Sequence, residues 1–195
     1  METVRARWEL TFLLQLAYSG ERAAAQAYWG HRHSLSSPTE RLEVGKICRE
    51  ELVHRRCLLG MLARLDAGPD PLRDRKMNRV GKTISFLCQI GGWFLPMYGA
   101  AKLESQNIRE YELAARLAHV AGFEEMVEPL LEMAEVEWDH ELYFRSKAME
   151  RKLFWKLMPK WPLPAPREEI RRSFSEFIQD TAWVVPEVLA PAIIR

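Results

Sequence analysis

Two Glu-x-x-His motifs stand in the middle of segments whose residue spacing is otherwise that of apolar helix faces. They are Glu51 with His54 and Glu137 with His140. Residues three apart lie on the same side of a helix, so one carboxylate oxygen and one imidazole nitrogen of each motif can reach a single ion. An ionised carboxylate that is buried without a partner costs several kcal/mol, and we therefore expect a compensating cation beside each motif.

Each motif follows a segment that carries one glutamate on its own apolar stripe. Glu21 precedes Glu51 by 30 residues, and Glu104 precedes Glu137 by 33 residues. Four glutamates and two histidines at one level of a four-helix bundle are the ligand set of a carboxylate-bridged pair of metal ions. The sequence predicts such a site, with Glu51 and Glu137 as bridges, Glu21 and Glu104 as terminal ligands, and one histidine on each ion.

The ligand types indicate which metal to expect. Carboxylate and imidazole without thiolate suit iron, with manganese as the alternative, and two divalent ions neutralise the four carboxylates. Two iron ions about 4 Å apart can bind dioxygen once reduced and yield an oxidant that hydroxylates carbon. Four residues could line an apolar pocket beside the metals, although each is by default interpreted as a core residue: Tyr28, Phe94, Met97 and Phe144. Glu50 and Glu135 fall off the apolar stripes and are expected to be solvated.

The helical period dominates the chain and predicts an all-α protein, a ferritin-like four-helix bundle with one crossover connection and an extra C-terminal helix. Residues 37–40 form a capping box that opens the second helix. A polar, basic crossover with room for a short helix follows as far as Lys82. The predicted helices cover about residues 4–31, 38–65, 97–121, 127–150 and 167–184. Residues 1–158 are interpreted as the bundle, and residues 159–195 as a proline-rich linker and a helix packed on the same domain.

Composition limits the partners and the location. The chain has 195 residues and a formal net charge of +1, so no global field recruits nucleic acid. Its three cysteines form no CxxC pair, which favours a reducing compartment, and its first residues are charged, unlike a signal peptide. A cytoplasmic location is expected.

Residues 83–101 carry no charge, but Gly91, Gly92 and Pro96 interrupt them, so a broken helix or an interfacial segment is favoured over a membrane span.

The first predicted helix resembles the demethoxyubiquinone hydroxylase family, which has a Gly-Glu pair followed by Tyr-x-Gly, here Gly20-Glu21 and Tyr28-Trp29-Gly30. The family's ordered set of Glu, ExxH, Glu, ExxH falls on the six residues named above, and its tyrosine seven residues after the second lone glutamate, here Glu104, is Tyr111. Where the family has a histidine before this tyrosine, the chain has Glu110. The resemblance covers about residues 10–145.

The resemblance implies a di-iron monooxygenase, peripheral to the inner membrane face, that hydroxylates a quinone ring in ubiquinone synthesis. It also implies that a nicotinamide or a redox protein supplies electrons, and it gives Tyr111 a catalytic role in quinone or electron handling. Dioxygen and a lipophilic small molecule are then the substrates. Whether the chain forms homo-oligomers is left open.

Two other functions remain open from the sequence. Residues 49–54 also look like the tRNA isopentenyladenosine hydroxylases. A basic and aromatic stripe that could grip phosphates, or an anionic membrane, comprises Arg145, Lys147, Arg151, Lys152, Phe154, Trp155, Lys156, Lys160 and Trp161. The third hypothesis is a ferritin-like metal-binding or oxidase protein that hydroxylates nothing.

Overall fold

The computed structural model describes residues 2–150, 152–157, 161–180 and 182–186, and within these ranges the chain forms helices and no strand. This confirms the predicted all-α bundle. The helices are α1 (Glu2–Ser34), α2 (Pro38–Arg64), α3 (Pro71–Ile90), α4 (Phe94–Ala121), α5 (Glu124–Met149), α6 (Lys152–Leu157) and α7 (Arg167–Gln179).

Four long helices, α1, α2, α4 and α5, form the bundle, and α3 is the long crossover. At one end of the bundle, Arg7 of α1 donates a hydrogen bond of 2.9 Å to the carbonyl of Leu65 after α2, so α1 and α2 are antiparallel. Near the other end, Tyr28 of α1 contacts Glu104 of α4. Because α3 returns the chain along α1, α4 begins beside the C-terminal end of α1 and runs antiparallel to it.

The crossover helix α3 is longer than the sequence analysis predicted. It has 20 residues rather than a single short helical segment. Its start follows helix-capping rules: the Asp70 carboxylate accepts from the backbone amides of Leu72 and Arg73 at 2.9 and 3.1 Å, and Pro71 occupies the first turn. The Asp-Pro signal was therefore present, but the polar composition of the segment concealed it.

α3 lies very close to α1. A Cβ atom at Gly81 would approach the carbonyl oxygen of Ala23 to 2.7 Å, so only glycine permits this contact. Asp74 of α3 also forms ion pairs with Arg22 of α1 and with Arg55 of α2, the latter at 2.7 Å. These contacts fix the crossover against the first helical pair.

The other helix ends largely follow the predicted signals. The Ser37 side chain caps α2 by accepting from the amide of Glu40 at 3.4 Å, and α4 stops at Gly122 with φ of 81°. The predicted end of the last helix at about residue 184 is wrong, because α7 stops at Gln179. Asp180 ends it by adopting extended backbone and accepting from the amide of Ala182 at 2.9 Å.

The uncharged segment of residues 83–101 is divided between two helices. Its first half ends α3, residues 91–93 turn, and its second half begins α4. Met97 and Ala101 are buried, whereas four large apolar side chains are exposed: Phe86 (61%), Leu87 (50%), Ile90 (68%) and Leu95 (60%). Within the described ranges, no helix combines the length and the apolar character needed to cross a bilayer.

The segment after α5 is packed on the bundle. Trp161 is buried, and α7 contacts α4 and α5. The expectation that Glu135 is solvated is wrong, because its carboxylate accepts from Arg171 Nε of α7 at 2.6 Å. Within the predicted linker and terminal helix, residues 159, 160, 181 and 187–195 lie outside the described residues.

The apolar core has two parts. One contains Leu10, Leu14, Leu58, Leu62, Leu117 and Leu130. The other contains Tyr28, Val44, Ile47, Met97, Ala101 and Phe144. The six predicted metal ligands lie between the residues of these two clusters along each helix, so the bundle contains a buried polar layer bounded by apolar side chains.

Candidate metal centre

All six predicted metal ligands lie together in the interior of the bundle. Each of the four long helices contributes one glutamate from its buried face, and α2 and α5 add a histidine one turn later. The exposed fraction of each of these residues is 5% or less. They are Glu21, Glu51, His54, Glu104, Glu137 and His140.

The six side chains form two overlapping groups, each able to hold one metal ion. Within each group, one ligand atom from every residue lies within 4.8 Å of the others. The first group contains Glu21, Glu51, His54 and Glu137. The second contains Glu51, Glu104, Glu137 and His140. Only Glu51 and Glu137 belong to both, which is the arrangement expected of bridging carboxylates.

Several buried ligand atoms make no hydrogen bond to any described residue. They are Glu21 Oε2, both carboxylate oxygens of Glu51, His54 Nδ1, Glu137 Oε1 and His140 Nδ1. His54 Nδ1 lies 2.9 Å from Glu137 Oε1, yet the ring is not oriented to donate to it. Buried polar atoms are nearly always paired. Unpaired oxygens and nitrogens that converge in this way fit a cation, and the group as a whole can hold a metal ion.

The pKa values of the cluster show how the negative charge of its buried carboxylates is balanced when no metal is bound. Burial, reinforced by the neighbouring carboxylates, raises the pKa of Glu51 and of Glu104 well above the usual value. Burial by itself lowers the pKa of His54 and His140, but the adjacent Glu137 carboxylate and a second glutamate outweigh it and raise both to about 10. Metal-free protein at neutral pH therefore holds protons where a metal ion would otherwise balance the charge.

Two tyrosines support the cluster in a reciprocal arrangement. Tyr28, seven residues after Glu21 on α1, donates to Glu104 on α4. Tyr111, seven residues after Glu104, donates to Glu21. Burial, with the surrounding carboxylates, raises the pKa of both phenols, so both remain protonated donors. A tyrosine of α1 thus orients the glutamate of α4, and a tyrosine of α4 orients the glutamate of α1.

Sequence reasoning missed two further residues beside the ligands. Asn107 Nδ2 donates to Glu104 Oε2 at 2.8 Å, and its position three residues after Glu104 was a usable signal. The expectation that Glu50 is solvated is wrong, since its Oε2 lies 3.0 Å from His140 Nε2. Glu50 lies about 100° round α2 from Glu51. It reaches the site only because α5 packs beside α2. No local sequence pattern could therefore have indicated the contact.

No protein-family model, curated protein or solved structure matches the chain.

A cavity of about 240 Å³ lies beside the cluster, between α1, α3 and α4, and Glu21 and Tyr111 form part of its wall. This is not the predicted pocket, because none of its four residues lines the cavity: Tyr28, Met97 and Phe144 are buried core residues, and Phe94 packs against them. Glu110 also lines the cavity. Burial raises the pKa of Glu110, and its Oε1 accepts from Gln106 Nε2 at 2.6 Å.

Proposed function

We propose that the protein is a di-iron, oxygen-dependent monooxygenase that hydroxylates a lipophilic, quinone-like substrate. The observation that carries the proposal is the convergence of six buried ligands, several with unpaired donor atoms, into two groups that share two glutamates. The resemblance of this ligand order to the demethoxyubiquinone hydroxylases supports the choice of reaction. When bound, two iron ions supply the activation of dioxygen, and manganese is the alternative metal.

The chain's own residues have distinct roles in this proposal. Glu51 and Glu137 would be shared by both ions, Glu21 and His54 would hold one of them, and Glu104 and His140 would hold the other. The phenol of Tyr111 orients Glu21 and stands in the cavity wall, where it contacts substrate and holds a proton next to the site. The two apolar cores exclude water from both ends of the ligand layer.

The corner formed by the end of α3 and the start of α4 supports the proposal that the protein meets a membrane surface. Phe86, Leu87, Ile90 and Leu95 are exposed there. Residues 75–103 contain five cationic side chains and no acidic one. Exposed apolar side chains with surrounding cations suit an anionic bilayer surface, from which a lipophilic substrate is drawn. Electrons come from a nicotinamide or a redox protein.

The tRNA-modifying alternative is less well supported by the described residues. Arg145, the first residue of the basic stripe, is buried and donates to Glu141 at 2.8 Å. Lys147 is paired with Glu40 at 3.1 Å. Arg151 and Lys160 lie outside the described residues. The non-hydroxylating, ferritin-like alternative shares the same metal site, so it is separated from the hydroxylase only by product formation.

Metal content per chain is the deciding measurement. Protein loaded anaerobically with iron(II) and desalted is expected to retain about two irons, and reduced protein is expected to consume dioxygen when a quinone is present. Glu137→Ala removes a bridge and is expected to abolish two-metal binding, whereas Glu132→Ala, an exposed residue of the same helix, leaves the count at two. An unchanged count in Glu137→Ala contradicts the site. Iron oxidation without a hydroxylated product favours the ferritin-like alternative.

The membrane proposal has a separate test. Cosedimentation with vesicles containing anionic lipid is expected to fall when Ile90→Ser and Phe86→Ser are combined. Leu42→Ser, an equally exposed leucine on α2, is the matched control. Equal binding by all variants, or no binding by the wild type, contradicts a membrane-facing corner.

A further inference from the structure

The cavity beside the metal centre exists because α3 and α4 separate after the turn that joins them. Within the described ranges, both helices pack on α1 and hardly on each other. α1 closes the resulting gap on its inner side. Gly20 of α1 leaves open space there, because a Cβ atom at this position would meet no atom within 4 Å. The gap therefore ends next to Glu21 without being filled by the protein itself.

The size and lining of the cavity define the body of the ligand. Its volume is about 240 Å³, and its apolar lining consists of Leu16, Ala17, Met77, Val80 and Leu103. An apolar protein cavity of roughly 150 Å³ already holds a benzene molecule. The space beside Glu21 therefore accommodates a substituted aromatic ring or an apolar body of similar size.

The same cavity has two cations in its wall, Arg73 and Lys76 of α3. Arg73 Nη1 is buried and has no hydrogen-bond partner among the described residues. Its guanidinium lies 5.0 Å from the ring centroid of Phe12, which holds it in place without neutralising it. The two nearest acids in sequence have other partners: Asp74 pairs with Arg22 and Arg55, and Asp70 accepts from the backbone amides that begin α3.

Other acids in the wall do not satisfy these cations. Glu21 accepts from Tyr111 and belongs to the metal centre, and Glu110 accepts from Gln106. Within the part of the chain that the structure describes, neither Arg73 nor Lys76 forms an ion pair. A buried, unpaired guanidinium nitrogen facing a cavity is suited to a planar carboxylate, which accepts two parallel hydrogen bonds from arginine.

We propose that this cavity binds a compact aromatic or apolar carboxylic acid, with its carboxylate on Arg73 and Lys76 and its apolar body in the open space at Gly20, beside Tyr111. That this acid is also the molecule oxidised at the metal centre rests on the proposed function, and it narrows the proposed substrate from a quinone-like ring to a ring that carries a carboxylate. Binding itself does not, because no metal ligand is needed to hold the carboxylate.

Binding is measured by isothermal titration calorimetry on metal-free, full-length protein, so that the probe cannot coordinate a metal ion. The probes are 4-propylbenzoate and its uncharged analogue 4-propylbenzamide. The benzoate is expected to bind at least about tenfold more tightly, since a charge-assisted, bidentate contact is lost in the amide. Equal affinity for both probes, or no detectable binding of the benzoate, overturns the proposal.

Two pairs of variants locate the binding. Arg73→Gln is expected to remove the preference for benzoate, while Arg75→Gln, which makes the same charge change on an exposed residue of the same helix, retains it. Gly20→Leu fills the open space and is expected to abolish binding of both probes, while Gly20→Ala retains it. Circular dichroism establishes that each variant is folded. Equal losses in Arg73→Gln and Arg75→Gln, or unchanged binding in folded Gly20→Leu, overturn the assignment.

Metal content, measured separately on iron-loaded protein, distinguishes the two proposals. Two metals per chain without benzoate binding refute the ligand class and leave the metal centre intact. Benzoate binding without metal retention supports the ligand site and refutes the proposed hydroxylase.

Discussion

The hydroxyl of Tyr111 donates a hydrogen bond to the carboxylate of Glu21, a residue 90 positions earlier in the chain. Both side chains line the cavity between α1, α3 and α4. This contact therefore joins two residues of the cavity wall, one of which is a candidate metal ligand. A molecule in the cavity can reach Glu21 both directly and through Tyr111.

Removing that hydroxyl tests its role. Tyr111→Phe is expected to retain two metals but to weaken binding at the position served by Glu21 by about 10–100-fold, because residues that orient a ligand contribute this much. Stepwise metal titration with a competing chelator measures the change. Tyr143→Phe is the matched control, since the buried Tyr143 hydroxyl has no partner among the described residues. Equal titration curves for the two variants contradict the role of Tyr111.

The stability of metal-free protein is expected to fall as the pH rises above neutrality. The pKa values of His54 and His140 are raised from 6.5 to about 10 in the folded chain, which therefore holds two protons that the unfolded chain loses above pH 6.5. Stability decreases with pH wherever the folded state binds more protons. The raised pKa values of Glu51 and Glu104 act in the same direction from about pH 4.5 upward.

Thermal unfolding of metal-free protein between pH 6.5 and 9 measures this dependence. The midpoint is expected to decrease across the range, and the decrease is expected to be smaller in a variant that combines His54→Asn with His140→Asn. Metal binding requires deprotonated ligands, so metal affinity is expected to rise over the same range and to be accompanied by proton release. A metal-free midpoint that increases with pH contradicts the assigned protonation.

Glu50 is expected to strengthen the metal position served by His140. Its Oε2 lies 3.0 Å from His140 Nε2, and the hydrogen bond from His140, with its positive charge, lowers the pKa of Glu50 although partial burial opposes this. A carboxylate behind a histidine ligand fixes the ring and raises its basicity. Glu50→Gln is expected to weaken one of two metal-binding steps, by about tenfold or more, in a competition titration. Glu43→Gln, whose side chain is 44% exposed on α2, should change neither step.

Arg145 is expected to hold the chain after α5 against the bundle. Its guanidinium lies 3.9 Å from the ring centroid of Trp161, donates to Glu141 at 2.8 Å and donates to the carbonyl of Pro162 at 2.9 Å. Arg145→Met leaves the buried Glu141 carboxylate without its cation, and breaking a buried pair costs about 3–5 kcal/mol of the free energy of unfolding. Urea denaturation measures this loss. Lys147→Met, which breaks partly exposed pairs, is expected to cost about 1 kcal/mol or less.

A double variant separates the charge effect from packing. Combining Arg145→Met with Glu141→Leu removes both charges and is expected to recover much of the lost stability. Equal destabilisation by the single and double variants would show that the packing of Arg145 on Trp161, rather than the ion pair, is responsible.

The convergence of the six glutamate and histidine side chains was predictable because each of them interrupts an apolar stripe of its own helix. Helix spacing places Glu51 and His54 on one face, and the alternation with Val44, Ile47 and Leu58 indicates that this face is buried. The residues that the sequence did not reveal act between helices. Glu50 meets His140 across the bundle, and Arg73 reaches the cavity only because α3 is a full-length helix, which its polar composition concealed. Contacts of this kind depend on tertiary packing rather than on local periodicity.

The reciprocal tyrosines show that the site has an approximate twofold relationship between the α1–α2 and α4–α5 hairpins. Each hairpin supplies a glutamate, a tyrosine seven residues later and a Glu-x-x-His motif. The two hairpins differ at the residue that precedes each shared glutamate: Glu50 precedes Glu51, whereas Val136 precedes Glu137. The two proposed metal positions therefore differ in their histidine support, and we expect a single chain to fill first the position whose histidine contacts Glu50.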